Sequence, residues 1–209
     1  CGITTSVVFK NAGVCFDVGQ GLPYHLGINH FLITHGHLDH ASGIPYVVSQ
    51  KNMMSHKLSV FHMPTMMVEP MHRIMKAWEA IEGHSYQFSF LPIEAGESME
   101  LKPPFWAKAF KTPHRVDSVG YIVYERKKKI RPDFASLSRS EILDLKSRGE
   151  DPNIVFDIPV VAFTGETRSE FLESDPDIAR AQVLFMEVTF WDDQKDVKNA
   201  RFWGHTHFD

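Results

Sequence analysis

The sequence predicts an α/β fold in which two β-sheets pack face to face with helices on the outside. Three observations point to it. Short apolar runs of β-like composition recur along most of the chain, helical spacing is confined to a few stretches, and strands dominate the first part before helices intervene. With 209 residues and 43% hydrophobic content the chain can bury a sizeable core, and one domain over 1–209 is expected.

Residues 4–9, 14–18 and 30–34 read as the opening strands, followed by 58–62, 88–93, 105–111, 119–125, 160–164 and 183–187. Met67, Met71, Ile74, Met75, Trp78 and Ile81 recur at three- and four-residue spacing, which predicts an amphipathic helix packed on the core and closed by Gly83. A second helix is expected after Pro45, and shorter ones near Ser169 and Asp192. The least regular stretch is 126–157, where Arg126-Lys127-Lys128-Lys129 leads into Arg131-Pro132 and a polar run. It reads as an inserted arm or long loop.

The formal charge of −4 argues against a protein that coats nucleic acid without selectivity. No stretch approaches the roughly 18 to 20 apolar residues of a membrane span, and no secretion signal opens the chain, so a soluble, cytoplasmic protein with no membrane partner is expected. Cys1 and Cys15 are too few for a disulfide framework and read as reduced thiols.

The chemistry is concentrated in Thr34-His35-Gly36-His37-Leu38-Asp39-His40, which begins where an apolar strand ends. A strand terminus is a rigid place for ligands. His35 and His37 lie two apart, so on an extended segment both rings face the same way, while Asp39 and His40 follow on a turn and can face a neighbouring position. Imidazole with carboxylate suits zinc first, then iron or manganese, and two divalent ions are expected. The alternative, surface histidines beside a helix capped by Asp39, gives these side chains no packing purpose.

His-x-His-x-Asp-His resembles the signature of the metallo-β-lactamase superfamily, and its neighbours extend the likeness. Phe16-Asp17-Val18-Gly19-Gln20-Gly21 resembles the upstream turn whose buried aspartate supports the histidine loop, so Asp17 is expected behind the ligands; a simple turn-forming Asp is the other reading. Within the superfamily the chain is similar to the ribonuclease Z branch, which matures the 3′ end of transfer RNA precursors, and to its phosphodiesterase relatives. Thr112-Pro113-His114 with Ser118-Val119-Gly120-Tyr121, Phe163-Thr164-Gly165-Glu166-Thr167-Arg168, Met186-Glu187-Val188-Thr189-Phe190 and Gly204-His205-Thr206 resemble four further motifs of that branch, in order.

The resemblance implies a four-layer αβ/βα sandwich of the metallo-β-lactamase type, with His35, His37, Asp39, His40, His114 and Glu166 as metal ligands. It implies a hydrolase that attacks with a metal-bound hydroxide, in which Asp39 orients the attack and a His205 held by Glu187 meets the scissile phosphate. Direct metal ligation is the competing role for His205. His207 reads as an exposed histidine or a substitute ligand, and His25, His30, His56, His62, His72 and His84 as structural.

Three departures stand out. Glu166 replaces the family's aspartate, Met186 replaces the first residue of a His-Glu box, and the family's last ligand histidine falls beyond the end of this sequence. The chain is therefore expected to lack its first strand and its C-terminal end. Phosphodiester substrates are the implied partners, transfer RNA or other RNA, with a homodimer left open. A thioester, lactone or other carbonyl-ester hydrolase of the same fold is the alternative activity, and a non-catalytic metal-binding homologue the third.

Overall fold

The computed structural model describes residues 2–192 and 196–209. Cys1 therefore lies outside the described residues, as do 193–195 in the stretch after Asp192. The first half builds one sheet. Strands β1 (Val7–Phe9) and β2 (Val14–Phe16) form a hairpin, and β3 (His30–Leu32) lies parallel to β2. A helical turn α1 (Leu38–Ala41) and helix α2 (Ile44–Met53) follow, then β4 (Val60–Pro64), α3 (Thr65–Glu82) and β5 (Ser89–Ile93). The sheet runs β1-β2-β3-β4-β5, parallel from β2 onward.

The second half builds the facing sheet from β6 (Ser98–Glu100), β7 (Phe105–Lys111), β8 (Val119–Ile130), β9 (Asn153–Phe163) and β10 (Val183–Phe185). Its order is β10-β9-β8-β7-β6, antiparallel except for β9 and β10. Helix α4 (Arg139–Ser147) lies between β8 and β9, and α5 (Val197–Trp203) follows β10.

Strand period two sorts the apolar residues into layers. Val14, Phe16 and Leu32 point between the sheets, where they meet Ala107, Ala109, Tyr121, Val123 and Phe163. Phe16 and Phe163 stack across this layer at 5.0 Å. The alternate residues Cys15, Phe31, Ile33, Phe61 and Met63 point outward and are covered by Ile44 and Val47 of α2 and by Met67, Met71 and Met75 of α3. On the far side, Phe110, Ile122 and Ala162 pack under Phe171 and Ile178. Two mixed sheets flanked by helices are the αβ/βα sandwich that the sequence predicted.

Two local expectations need correction. Only Met67, Met71 and Met75 of the α3 stripe are buried, whereas Ile74 and Trp78 are each 43% exposed and Ile81 71%. A spacing of four keeps the methionines over one sheet face, and residues three further on drift round to solvent. The stretch 126–157 is more ordered than its composition predicts. β8 and β9 run on past the sheet as a paired ribbon, Arg126 opposite Asp157 through Ile130 opposite Asn153, and α4 carries a Ser138–Glu141 capping box. Both faces of the ribbon meet water, so it lacks the alternation that marks a half-buried strand.

The loop after β2 packs backbone against backbone on the junction of α1 and α2. Val18 and Gly19 N–H donate to the His40 carbonyl at 2.9 and 3.0 Å, and Gly43 N–H donates to the Gly19 carbonyl at 2.7 Å. A Cβ on Gly43 would sit 2.1 Å from the Gly21 nitrogen, and neither backbone can move without shifting His40. Gly43→Ala is expected to destabilise the fold by about 1–3 kcal/mol. Urea unfolding would show a lower midpoint at constant slope; an unchanged midpoint would show that the junction yields.

Candidate metal centre

Chain ends from both sheets converge on one edge of the sandwich. The segment leaving β3 carries His35 and His37, α1 carries Asp39 and His40, the β7–β8 loop carries His114, and the turn after β9 carries Glu166. His35 Nε2 lies 3.0 Å from His37 Nδ1, and His114 Nε2 lies 3.5 Å from the same atom. Glu166 Oε2 stands 3.5, 3.4 and 3.6 Å from His35, His37 and His114. Ligands about 2.0–2.1 Å from a tetrahedral zinc sit about 3.3 Å apart, so these four atoms outline the shell of one such ion.

The other Glu166 oxygen faces a second group. Oε1 is 3.6 Å from His40 Nε2, which is itself 3.5 Å from Asp39 Oδ2. His40 Nε2 is buried and, among the described residues, has no partner within hydrogen-bond distance. An orphaned buried ring nitrogen costs free energy unless a ligand meets it, and a cation among Asp39, His40 and Glu166 would do so. The extra methylene of Glu166 thus does not prevent its carboxylate from facing both groups.

Buried partners hold the rings from behind. Asp17, fully buried, accepts from Thr34 N–H at 2.7 Å through Oδ1 and pairs with His40 Nδ1 at 2.7 Å through Oδ2. Thr34 Oγ1 joins the same carboxylate to His35 Nδ1. His114 Nδ1 donates to the Gly204 carbonyl at 2.7 Å. Gly204 ends α5 at φ +79°, and a Cβ there would stand 2.9 Å from that ring nitrogen. With each Nδ1 engaged, the Nε2 atoms of His35, His40 and His114 are left for ligation.

Burial holds His35 below the ordinary histidine range and lowers His114 to about 4, which favours the neutral, ligating form. Burial also works against a charge on His40, but the Asp17 and Glu166 carboxylates outweigh it and raise the ring to about 10. Burial would raise the Glu166 carboxyl, yet His35 and His40 hold it far below the usual range.

A separate pair flanks the cluster. His205 Nδ1 lies 3.2 Å from Glu187 Oε1, and the His205 ring meets the His114 ring edge-on at 5.4 Å. Glu187 is fixed by Thr167 N–H at 3.1 Å, Thr206 N–H at 2.9 Å and the Thr189 N–H and hydroxyl at 2.8 and 2.5 Å. Burial would raise its carboxyl, but His205 and these donors hold it low. The hydrogen bond to Glu187 raises His205 in turn.

His205 and His207 belong to neither metal group among the described residues. His30 and His62 stack at 6.1 Å in the first sheet, and the buried His25 ring meets Phe31 of β3 at 5.9 Å. Sequence reasoning missed Thr34, the Gly204 carbonyl and the threonines around Glu187. Thr34 adjoins the histidine run and could have been found there; the others depend on contacts between distant segments.

No family model matches the chain. It is 31% identical over 208 residues to tRNase Z TRZ1 of Arabidopsis thaliana, covering 99% of this chain and 74% of that one. It is 29% identical over 209 residues to the chloroplastic tRNase Z TRZ2 of the same plant, covering 99% of this chain and 59% of that one. The fold superposes on the human short-form tRNase Z with a TM-score of 0.61 at 18% identity, over 98% of this chain and 78% of that one. The chain belongs to the metallo-β-lactamase superfamily, in its ribonuclease Z-like branch. With its buried His/Asp/Glu cluster it is a metal-dependent hydrolase with two metal-binding groups.

Glu166→Ala removes an oxygen from both groups and is expected to lower bound metal per chain, measured by native mass spectrometry; unchanged stoichiometry would refute the shared role. Asp17→Asn should weaken binding about 10- to 100-fold by releasing His40 and Thr34. A cation entering the second group must also displace the His40 proton. Below pH 10 its affinity should therefore fall about tenfold per unit of pH. Calorimetry in two buffers of different ionisation enthalpy reads that proton, and identical heats would show that none leaves.

Proposed function

We propose that this chain hydrolyses phosphodiesters in RNA, the activity for which its tRNase Z relatives are named. The observation that carries the reading is the Glu187–His205 pair set against the His114 ring. A departing sugar oxygen needs a proton, which a histidine beside the cluster can give, whereas a thiolate leaving a thioester does not.

In this reading His35, His37, His114 and Glu166 hold one divalent ion, and Asp39, His40 and Glu166 hold the other. Zinc is the first choice for imidazole and carboxylate donors, with manganese or iron next. Bound together, such ions acidify a water and neutralise charge on a reacting phosphate. The chain's own groups do the rest. Glu166 offsets the positive charge from between the two groups, and Asp39 faces the attacking side. His205, whose protonated form Glu187 favours, delivers a proton to the leaving oxygen from beside the His114 ring. The threonine donors keep Glu187 ionised through this step.

The ribbon bears on the choice of substrate. β8 begins beside the cluster, where Val119 N–H donates to the Thr34 carbonyl at 3.0 Å, and at about 3.3 Å per residue it carries Ile130 roughly 35 Å away. The arm therefore runs away from the cluster, which supports a large substrate over a small carbonyl ester. Its Lys127, Lys128 and Lys129 are exposed at a distance suited to the body of a large RNA. We read residues 1–209 as one such domain with 126–157 as its arm, working in the cytoplasm.

His205→Ala is expected to keep its metal yet lose about a hundredfold or more in turnover on a diester with a poor leaving group. A nitrophenyl diester, whose leaving group needs little protonation, should lose less. Loss of metal would make His205 a ligand, and equal loss on both substrates would make it a group that positions substrate.

A further inference from the structure

We propose that Arg168 binds the phosphate adjoining the scissile one, so that this hydrolase selects a polynucleotide over a lone diester; the inference rests on the phosphodiesterase reading above. The backbone of Arg168 is locked to both catalytic loops. Its N–H donates to the Pro113 carbonyl at 3.1 Å, next to His114, and the preceding Thr167 carbonyl accepts from Thr206 Oγ1 at 2.8 Å, next to His205. The residue stands two places after Glu166, so its position relative to the metal groups is set by the same turn.

Its side chain lines two cavities. One, of about 480 Å³, also contains His205 and Thr206; the other, of about 570 Å³, contains His114 and Ser118. Neither is lined by His35, His37, Asp39, His40 or Glu166. Arg168 thus faces the flanks of the reaction centre and not the reacting phosphate itself.

The guanidinium has no carboxylate counterpart among the described residues. Among the described residues it forms no ion pair and no side-chain hydrogen bond, and its Nε is buried without a partner. Neighbouring arginines are engaged: Arg201, in the first cavity, pairs with Glu170, and Arg115 lies over the Trp203 ring at 4.6 Å. A partly buried cation without a counter-charge is unfavourable unless an anion meets it. A planar fork of N–H donors matches a phosphate bidentately, and a lysine would not. In a polynucleotide the anion that flanks the cleaved bond is the next phosphate of the strand.

The test uses the zinc-loaded protein and two probes without a cleavable diester, adenosine 3′,5′-bisphosphate and adenosine 5′-monophosphate, titrated by calorimetry. The wild type is expected to bind the bisphosphate about tenfold more tightly, the scale of one charge-assisted bidentate contact. In Arg168→Gln the preference should shrink to about twofold or less while metal content holds, and Arg168→Lys should recover part of it. With a single-stranded oligonucleotide, Arg168→Gln should raise KM with little change in kcat. Should no oligonucleotide be cleaved, the hydrolytic reading fails while an Arg168-dependent bisphosphate preference still stands. A wild type that does not distinguish the probes, or a variant that weakens both equally, overturns the proposal.

Discussion

The arrangement of this molecule depends on one buried carboxylate. Asp17 sits fully enclosed at the end of β2, and its two oxygens reach the backbone and hydroxyl of Thr34 and the ring of His40. An ion in that position is costly to desolvate, and each of these contacts lowers the cost. The same contacts fix the direction of His35 and the tilt of α1. The left-handed backbone of Asp17, φ 52°, is held by its surroundings, with its own N–H on the Leu32 carbonyl. Remove the carboxylate and the fold keeps its layers, but the histidine loop loses the floor on which it rests.

A second carboxylate does the corresponding work from the other sheet. Glu166 brings the end of β9 to the end of β3, so the two sheets meet through a shared group and not through apolar packing alone. Charge is distributed with economy: Asp17 behind, Glu166 between, Asp39 outside, and Glu187 one ring further out. Each carboxylate faces a histidine, and the balance between burial and the facing carboxylate sets the direction in which each ring shifts, upward for His40 in spite of its burial. His35 and His114, deep and without a close carboxylate behind them, are pushed down by burial; His205, tied to Glu187, is raised.

The sequence made some of this visible and hid the rest for physical reasons. His35, His37, Asp39 and His40 are legible because their juxtaposition is local, set by an extended segment running into a helical turn. His114 and Glu166 are far apart in the chain and were placed only through resemblance to known motifs. Thr34 and the Gly204 carbonyl left little trace, since a backbone carbonyl has no side-chain signature. The apolar pattern located the strands other than β6, which at three residues is too short to show one, but overestimated the buried width of α3 at Ile74, Trp78 and Ile81. It failed at the ribbon, where neither face is buried and pairing alone defines the strands.

That ribbon has a thermodynamic character of its own. Beyond Tyr124 the paired strands bury little apolar surface, and Ile154, Val155 and Phe156 stand open to solvent. Its hydrogen bonds are therefore free to open and close without disturbing the sandwich, and amide exchange there should be decoupled from global unfolding. A segment so loosely mortgaged to the core can change length and charge between relatives while the metal edge keeps its geometry. The tip of the ribbon and the metal edge are separated in this fold by roughly ten rungs of β-ladder, so a change at one need not reach the other.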